Sequence, residues 1–385
     1  MKKAKIQRSI LCVLLSLVLL MLNGCGVQTD DGQKEPPQTG VSDGSGTYPA
    51  KLLNYYVAAS AGGGLDIVSR AFTPQWEQAL GTTFEYIYED TGSTYLMGMN
   101  DLTSLGEDEF GVMCGLPEAM LGMFAFQDST YSLDDIAWIG NVYTDANCLM
   151  VRIDDDRFNT ASDLIAYARS AAEPLTISTP QVLTPANITA EIFIEASGIN
   201  ANVVAYSGGS GARNDLIGGH VDVSVGGIST AVGLTDQVKV IGIFGNSNPV
   251  KDLWDCQVVE DFATDFAMPD LTCHCSIWTT KEMQERNPEV YHMLVDTFAQ
   301  AIQSKEAEDS LVAANQDRFI EYFGPEQTLA NASGFMKTLE EYSDLLRGTL
   351  PASLGTGHNR ARTGWRRLRF RPPLEGVQIL ERTST

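Results

Sequence analysis

Apolar and polar positions change period repeatedly along the middle of the chain. Leu52 to Ala59 (LLNYYVAA) is a short apolar run suited to a strand. Asp66 to Leu80 repeats apolar residues at helical spacing, with Ile67, Ala71, Phe72 and Trp76 on one face. "TTFEYIYE" (82–89), "EFGVMCG" (109–115), "CLMVR" (148–152), "LTIST" (175–179), "NVVAY" (202–206), "HVDVSVGG" (220–227) and "VKVIGIFG" (238–245) read as further strands. Between them, Ala161 to Ala171, Pro185 to Ser197 and Gly211 to Ile217 read as helices. Lys281 to Leu346 is helical by period, broken at Gly324-Pro325, where Glu326 opens the next helix. Strands alternating with helices predict an α/β fold of βαβ units with mainly parallel sheets. No internal repeat is evident.

The first 47 residues follow a different pattern. Lys2, Lys3, Lys5 and Arg8 precede a 13-residue apolar run, Ile10 to Leu22, interrupted only by Ser16. That run is short for a bilayer span and has the layout of a secretory signal. It ends in Leu22-Asn23-Gly24-Cys25, which resembles the lipobox of bacterial lipoproteins, with Asn23 unusual at its position. The resemblance implies a signal peptide over 1–24, a lipid on Cys25 and a chain anchored to the outward face of the cell membrane. An ordinary signal with a chance cysteine is the alternative. Residues 25–47 hold almost nothing apolar, cannot bury enough surface to fold, and read as a flexible tether.

Charge narrows the partners. The formal net charge is −23, although residues 347–385 carry eight arginines against two acids, so the rest is more acidic still. Such a body repels nucleic acid and anionic lipid surfaces at long range, which excludes both as partners. It does not exclude a small anion, which local backbone NH groups and helix N-termini can hold. The basic 347–385 segment lacks a hydrophobic period and reads as disordered or as a non-native C-terminus, a functional basic tail being the other reading. Cys114, Cys148, Cys256, Cys273 and Cys275 lie in the body. Cys273-His274-Cys275 is spaced too tightly for a structural zinc site, so buried thiols and no metal are expected.

Three loops share one design. Ala61-Gly62-Gly63-Gly64-Leu65-Asp66 links a strand to a helix, and Pro180-Gln181-Val182-Leu183-Thr184-Pro185-Ala186-Asn187 does the same. The third is the Gly-rich turn and short helix within "VAYSGGSGARNDLIGGHVDV". In open parallel sheets ligands sit beyond the carboxyl ends of the strands, where such loops gather. Each loop offers bare NH groups at a helix start, suited to a carboxylate or phosphate. Competing motifs fit badly: neither G-x-G-x-x-G nor G-x-x-x-x-G-K-[ST] is present, and "GGSGA" (208–212) is not G-x-S-x-G. None of the four histidines adjoins a plausible nucleophile, and no H-E-x-x-H occurs. An exported enzyme is therefore a poor reading.

Tyr48-Pro49-Ala50-Lys51 followed by "VAASAGGGLDIVSRAF" resembles the opening of the tripartite tricarboxylate transporter receptors, the TctC or Bug family. "SDLIAYARS" (162–170), Thr184-Pro185, "VVAYSGGSGARNDLIGGHVDV" (203–223) and Gly324-Pro325-Glu326 follow in that family's order, so the similarity covers roughly residues 48–346. The resemblance implies a two-lobed periplasmic-binding-protein fold of type II-like form, with crossover hinge strands. It implies a monomeric receptor that closes on a small organic carboxylate and delivers it to a membrane permease, with no cofactor. Carried over by position, the ligand-binding residues are Ala61, Gly62, Gly63, Gly64 and Asp66 on one lobe. On the other they are Thr184, Pro185, Asn187, Tyr206, Gly208 and Gly209.

Departures from the pattern matter. Ala186-Asn187 replaces the usual Ser-His, Ser207 the usual Lys, and "YEDTGST" (88–94) lacks an expected arginine. Arg213 is an addition that either restores a lost charge in the site or faces solvent. Asp66 either orients a ligand amine or caps its helix, and Tyr206 either lines the cleft or packs in the core. A zwitterionic or less charged ligand, a sensory receptor and a disabled paralogue follow as alternatives. The expected division is 48–147 and 251–346 for lobe one and 148–250 for lobe two, with the fold complete at Leu346.

Overall fold

The computed structural model describes residues 52–59, 61–62, 64–89 and 93–350. The segments read from sequence as signal (1–24), lipidation site (Cys25) and tether (25–47), together with Gly63 and residues 351–385, lie outside the described residues. In chain order the first stretch runs β1 (Leu52–Val57), α1 (Gly64–Leu80), β2 (Thr83–Tyr88), α2 (Thr94–Ser104), β3 (Gly111–Gly115), α3 (Pro117–Phe126) and β4 (Ile136–Asp145). The second runs β5 (Asn147–Arg152), α4 (Ala161–Ser170), β6 (Leu175–Thr179), α5 (Pro185–Ser197), β7 (Ala201–Ala205), α6 (Gly209–Ile217), β8 (Val223–Gly227), β9 (Val238–Ile243), β10 (Gln257–Val258) and α7 (Val259–Phe262). The third runs β11 (Cys273–Thr280), α8 (Lys281–Arg286), α9 (Pro288–Ile302), α10 (Lys305–Ala313), α11 (Pro325–Glu341) and α12 (Ser343–Thr349).

Two sheets result, ordered β2-β1-β3-β11-β4 and β10-β9-β5-β8-β6-β7. β1 pairs in parallel with β2 and β3, and β6 with β7 and β8, as βαβ units require. The sheets are nevertheless mixed: β11 runs antiparallel to both neighbours, and so does β5. These antiparallel strands are where the chain changes sheets. β4 ends at Asp145 in the first sheet, Ala146 intervenes, and β5 begins at Asn147 in the second. The return runs from the end of β9 to β11, and β10 still pairs with β9 beyond the expected boundary at residue 250.

Burial explains the local structures. Central β1 buries Leu53, Tyr55, Tyr56 and Val57, covered on both faces as parallel strands are. α1 buries Leu65, Val68, Phe72, Trp76 and Leu80 against it, whereas Ile67, expected on that face, is 44% exposed. Trp76 meets Phe84 edge-on and Phe298 of α9 at 5.1 Å, which ties the C-terminal helices to the first sheet. α12 extends to Thr349, so the first residues assigned to the tail are helical, and Arg347 lies over the Phe126 ring.

Candidate functional site

The glycine loop after β1 is shaped by one carboxylate. Asp66, in the first turn of α1 and 4% exposed, accepts the Gly62 N–H at 2.7 Å through Oδ2. Its Oδ1 accepts the Tyr88 hydroxyl at 2.8 Å and pairs with Arg70 Nε at 2.8 Å. Both Asp66 oxygens are thus spent holding the loop. Gly62 has φ +77°, a conformation that glycine adopts without cost. Gly64 carries no such demand, and a Cβ there would meet no atom of the described residues within 4 Å. Ala61, Gly62 and Gly64 are exposed.

The loop between β6 and α5 is strained. Leu183 has φ +65° while only 1% exposed, a conformation costing a side-chain-bearing residue about 1–2 kcal/mol. Asn187 holds it there: Oδ1 accepts the Leu183 N–H at 3.0 Å, and Nδ2 donates to Thr179 Oγ1 at 3.3 Å. Thr184, the N-cap of α5, donates its hydroxyl to the Gln181 carbonyl at 2.7 Å. Pro185 occupies the first helical position and is buried. Leu183 and Ile188 pack in one buried cluster with Met120, Leu121 and Met123 of α3. A Cβ on Gly122 would lie 2.9 Å from the Leu183 carbonyl oxygen, so α3 must be bare there. Since α3 starts beyond the C-terminal end of β3 and the Leu183 loop beyond that of β6, this contact turns the loop-bearing ends of the two sheets toward each other.

The third loop is tied to the second. Gln181 Nε2 donates to the Ser207 carbonyl at 2.8 Å, and the Tyr206 N–H donates to the Thr179 carbonyl. The Tyr206 hydroxyl donates to Asp215 Oδ2 at 2.5 Å, so it braces α6. Gly208 precedes α6 in extended conformation, with open space where a side chain would be. A Cβ on Gly209 would lie 3.0 Å from Arg213 Nη1, which places the guanidinium back over the helix start. Arg213 is half-buried, and burial pulls its pKa below the usual guanidinium range. It has no carboxylate within 4.0 Å among the described residues; the nearest side-chain partner is Ser210 Oγ at 3.5 Å. Arg70, Arg152, Arg157, Arg169, Arg286 and Arg318 are all paired with acids.

With these loops placed, the comparison with known proteins is direct. Residues 76–262 match the tripartite tricarboxylate transporter family receptor model, TctC. The matched span holds the Thr184, Tyr206 and Arg213 loops and begins inside α1, after the glycine loop. A UPF0065 protein of the TAR-I ttuE-ttuC' intergenic region of Agrobacterium vitis is 24% identical over 188 residues, 48% of this chain and 53% of its own length. The chain thus spans about half the length of that curated relative. Among solved structures, a TctC solute-binding protein from Polaromonas superposes with a TM-score of 0.61 at 18% identity, over 78% of this chain and all of its own. An R. palustris protein solved with adipate gives 0.66 at 15% identity, over 78% and 98% of the two chains. MatC from Rhodopseudomonas palustris with bound malate gives 0.63 at 16%, over 78% and 100%. At these identities the likeness establishes the fold, which is the two-lobed periplasmic-binding-protein fold.

Two buried acid clusters near the crossings escaped the sequence. Asp145, at the end of β4, accepts the Ser229 hydroxyl at 2.6 Å and its N–H at 3.3 Å, fastening the first crossing to the loop after β8. Burial raises its pKa to about 6 despite these donors. A Cβ on Gly227 would collide with this carboxylate. Glu118, 1% exposed in the first turn of α3, accepts His274 Nδ1 at 2.6 Å and the His274 N–H at 3.1 Å. His274 Nε2 lies 3.2 Å from the Asn331 amide of α11. Both clusters line an 870 Å³ cavity beside the crossings, and none of the residues expected from sequence lines it. The only sequence signal was an acid in a helix's first turn and a histidine between two cysteines, neither of which names its partner.

Proposed function

We propose that this chain is a TctC-type solute-binding receptor that captures a small organic carboxylate between its two lobes. The carrying observation is Arg213, a half-buried cation with no acidic partner among the described residues, beside the start of α6. A guanidinium shed of part of its water gains most from a bidentate carboxylate. Gly64 and Gly208 support the reading, since no atom of the described residues requires either to be bare. Asp66, Asn187, Thr184 and Tyr206 act in it as the frame that holds backbone NH groups and Arg213 in place. Lobe one comprises 48–147 and the returning C-terminal segment, and lobe two the second sheet. Anchoring through Cys25, a monomeric state and delivery to a membrane permease complete the reading, in which no ligand chemistry is done.

A thermal-shift and calorimetric screen of the purified chain tests it, with mono-, di- and tricarboxylates, amino acids and the uncharged amides of each. A carboxylate at about 100 times its Kd adds about 2.7 kcal/mol of stability. Losing a charge-assisted bond of about 1.5–3 kcal/mol should make Arg213→Gln bind roughly 10–150-fold more weakly. Shifts from the amides but not the acids, or unchanged affinity in Arg213→Gln, would overturn the reading.

A further inference from the structure

Five cysteines lie among the described residues, and two of them touch. Cys114 on β3 and Cys275 on β11 bring their sulfurs to 3.6 Å, both fully buried. The strands are antiparallel neighbours with Ile277 opposite Cys114, so Cys275 lies two residues along on the same face. On its other side β11 changes register against β4 between Cys275 and Ser276, an irregularity that lets the backbone adjust at this point. Ser69 Oγ stands 3.4 Å from Cys114 Sγ and accepts the Tyr55 hydroxyl at 3.0 Å, so the pair sits directly beneath the first turns of α1. In the folded chain the contact with Cys275 draws the Cys114 thiol below its ordinary value, a mark of how closely the two sulfurs are set.

We propose that Cys114 and Cys275 are joined by a disulfide when the chain folds in an oxidising compartment. The oxidant is an external disulfide, small or protein-borne. One cysteine thiolate attacks it, giving a mixed disulfide and one released thiol. The second cysteine then displaces the other external sulfur. One S–S bond forms and one breaks, while two electrons and two protons pass to the external disulfide, which leaves as two thiols. Because neither sulfur reaches solvent in the folded chain, the exchange belongs to folding, before β11 docks on β3. The bridge would close a loop holding β4, the whole second sheet and both crossings, and would fix β11, the strand on which the chain returns. It rests on export only for its oxidant, not on any ligand.

Refolding the full chain in a glutathione redox buffer, blocking free thiols with N-ethylmaleimide in denaturant and mapping peptides by mass spectrometry tests this. The expected result is a peptide linking Cys114 to Cys275, two fewer alkylated cysteines than in the reduced chain, and a higher Tm that reductant lowers. Cys275→Ala should lose the linked peptide and the reductant sensitivity of Tm. Alkylation of both Cys114 and Cys275 after oxidative refolding, or a bridge from either to a different cysteine, would overturn the proposal. The mapping of the parent chain decides the matter even where the variant fails to fold.

Discussion

Asp145 offers the sharpest test of the crossing, because its perturbation has a sign that depends on pH. Its ordinary value is 3.8 and burial raises it to about 6 in the folded chain. At about 1.4 kcal/mol per pH unit, ionised Asp145 costs the folded state about 3 kcal/mol. A raised carboxylate binds its proton more tightly when folded. This group's contribution is therefore fully present below the unfolded value and lost as pH rises through 6. Asp145→Asn removes the ionisation and keeps one acceptor for Ser229, but turns an amide NH₂ toward donors, at a cost of about 1 kcal/mol. The variant should be about 0.5 kcal/mol less stable than the parent at pH 4 and about 2 kcal/mol more stable at pH 7.5. Urea unfolding of both proteins at half-unit pH steps reads this directly, since carboxylates common to both cancel. A stability difference constant within about 0.5 kcal/mol across that range would refute the argument that burial, rather than the Ser229 donors, governs this site.

Two further outcomes follow from packing and pairing. Burial alone would hold His274 neutral, but the hydrogen bond and charge of Glu118, with Asp270 and Glu321 nearby, outweigh it and raise its pKa. The stabilisation is thus present below about pH 6.5 and is lost as pH rises through the folded value. His274→Ala should cost about 3–5 kcal/mol at pH 6 by stranding the buried Glu118 carboxylate, and urea unfolding showing under 1 kcal/mol would contradict the pairing. Gly122→Ala forces a methyl against the Leu183 carbonyl in a loop already strained, so a loss of about 1–3 kcal/mol is expected. Parent-like stability in that variant would mean that the two loop-bearing ends do not meet as closely as described.

Much of the α/β alternation was readable because each βαβ unit buries one helical face on a strand. The elements that escaped had no period to read. α3 (PEAMLGMFAF) is apolar nearly all round, since it packs on Trp278 and Met336 as well as on Leu183 and Ile188. β4 is buried along almost its whole length and carries Asn141 at 0% exposure, which hydrogen-bonds the Glu321 carbonyl and Ser276. A polar residue inside a continuous apolar run breaks the alternation that marks a strand. α2 contains Gly98 and Asn100, poor helix formers, and Gly98 is tolerated because a side chain there would strike Met113. In each case tertiary packing, not local preference, selects the structure.

The candidate loops were legible in outline and the work of their side chains was not, for a physical reason. Glycines and helix starts mark where main-chain NH groups are bare, and they do so in the sequence itself. Whether a polar side chain serves the ligand or the loop depends on which partner it reaches first. Asp66 reaches Gly62, Tyr88 and Arg70, Asn187 reaches Leu183 and Thr179, and Tyr206 reaches Asp215. Each group so satisfied has little left to gain from a ligand, because a second partner would only replace the first. Arg213 differs in that a glycine and a distant serine stand beside it, while Asp215, the acid of its own helix, is taken by Tyr206. In a chain this rich in carboxylates, a half-buried arginine left without one among the described residues is costly to desolvate and keeps its capacity for an anion. The groups that hold the loops and the group that remains available are thus separated by partner geometry, and only folded coordinates carry that information.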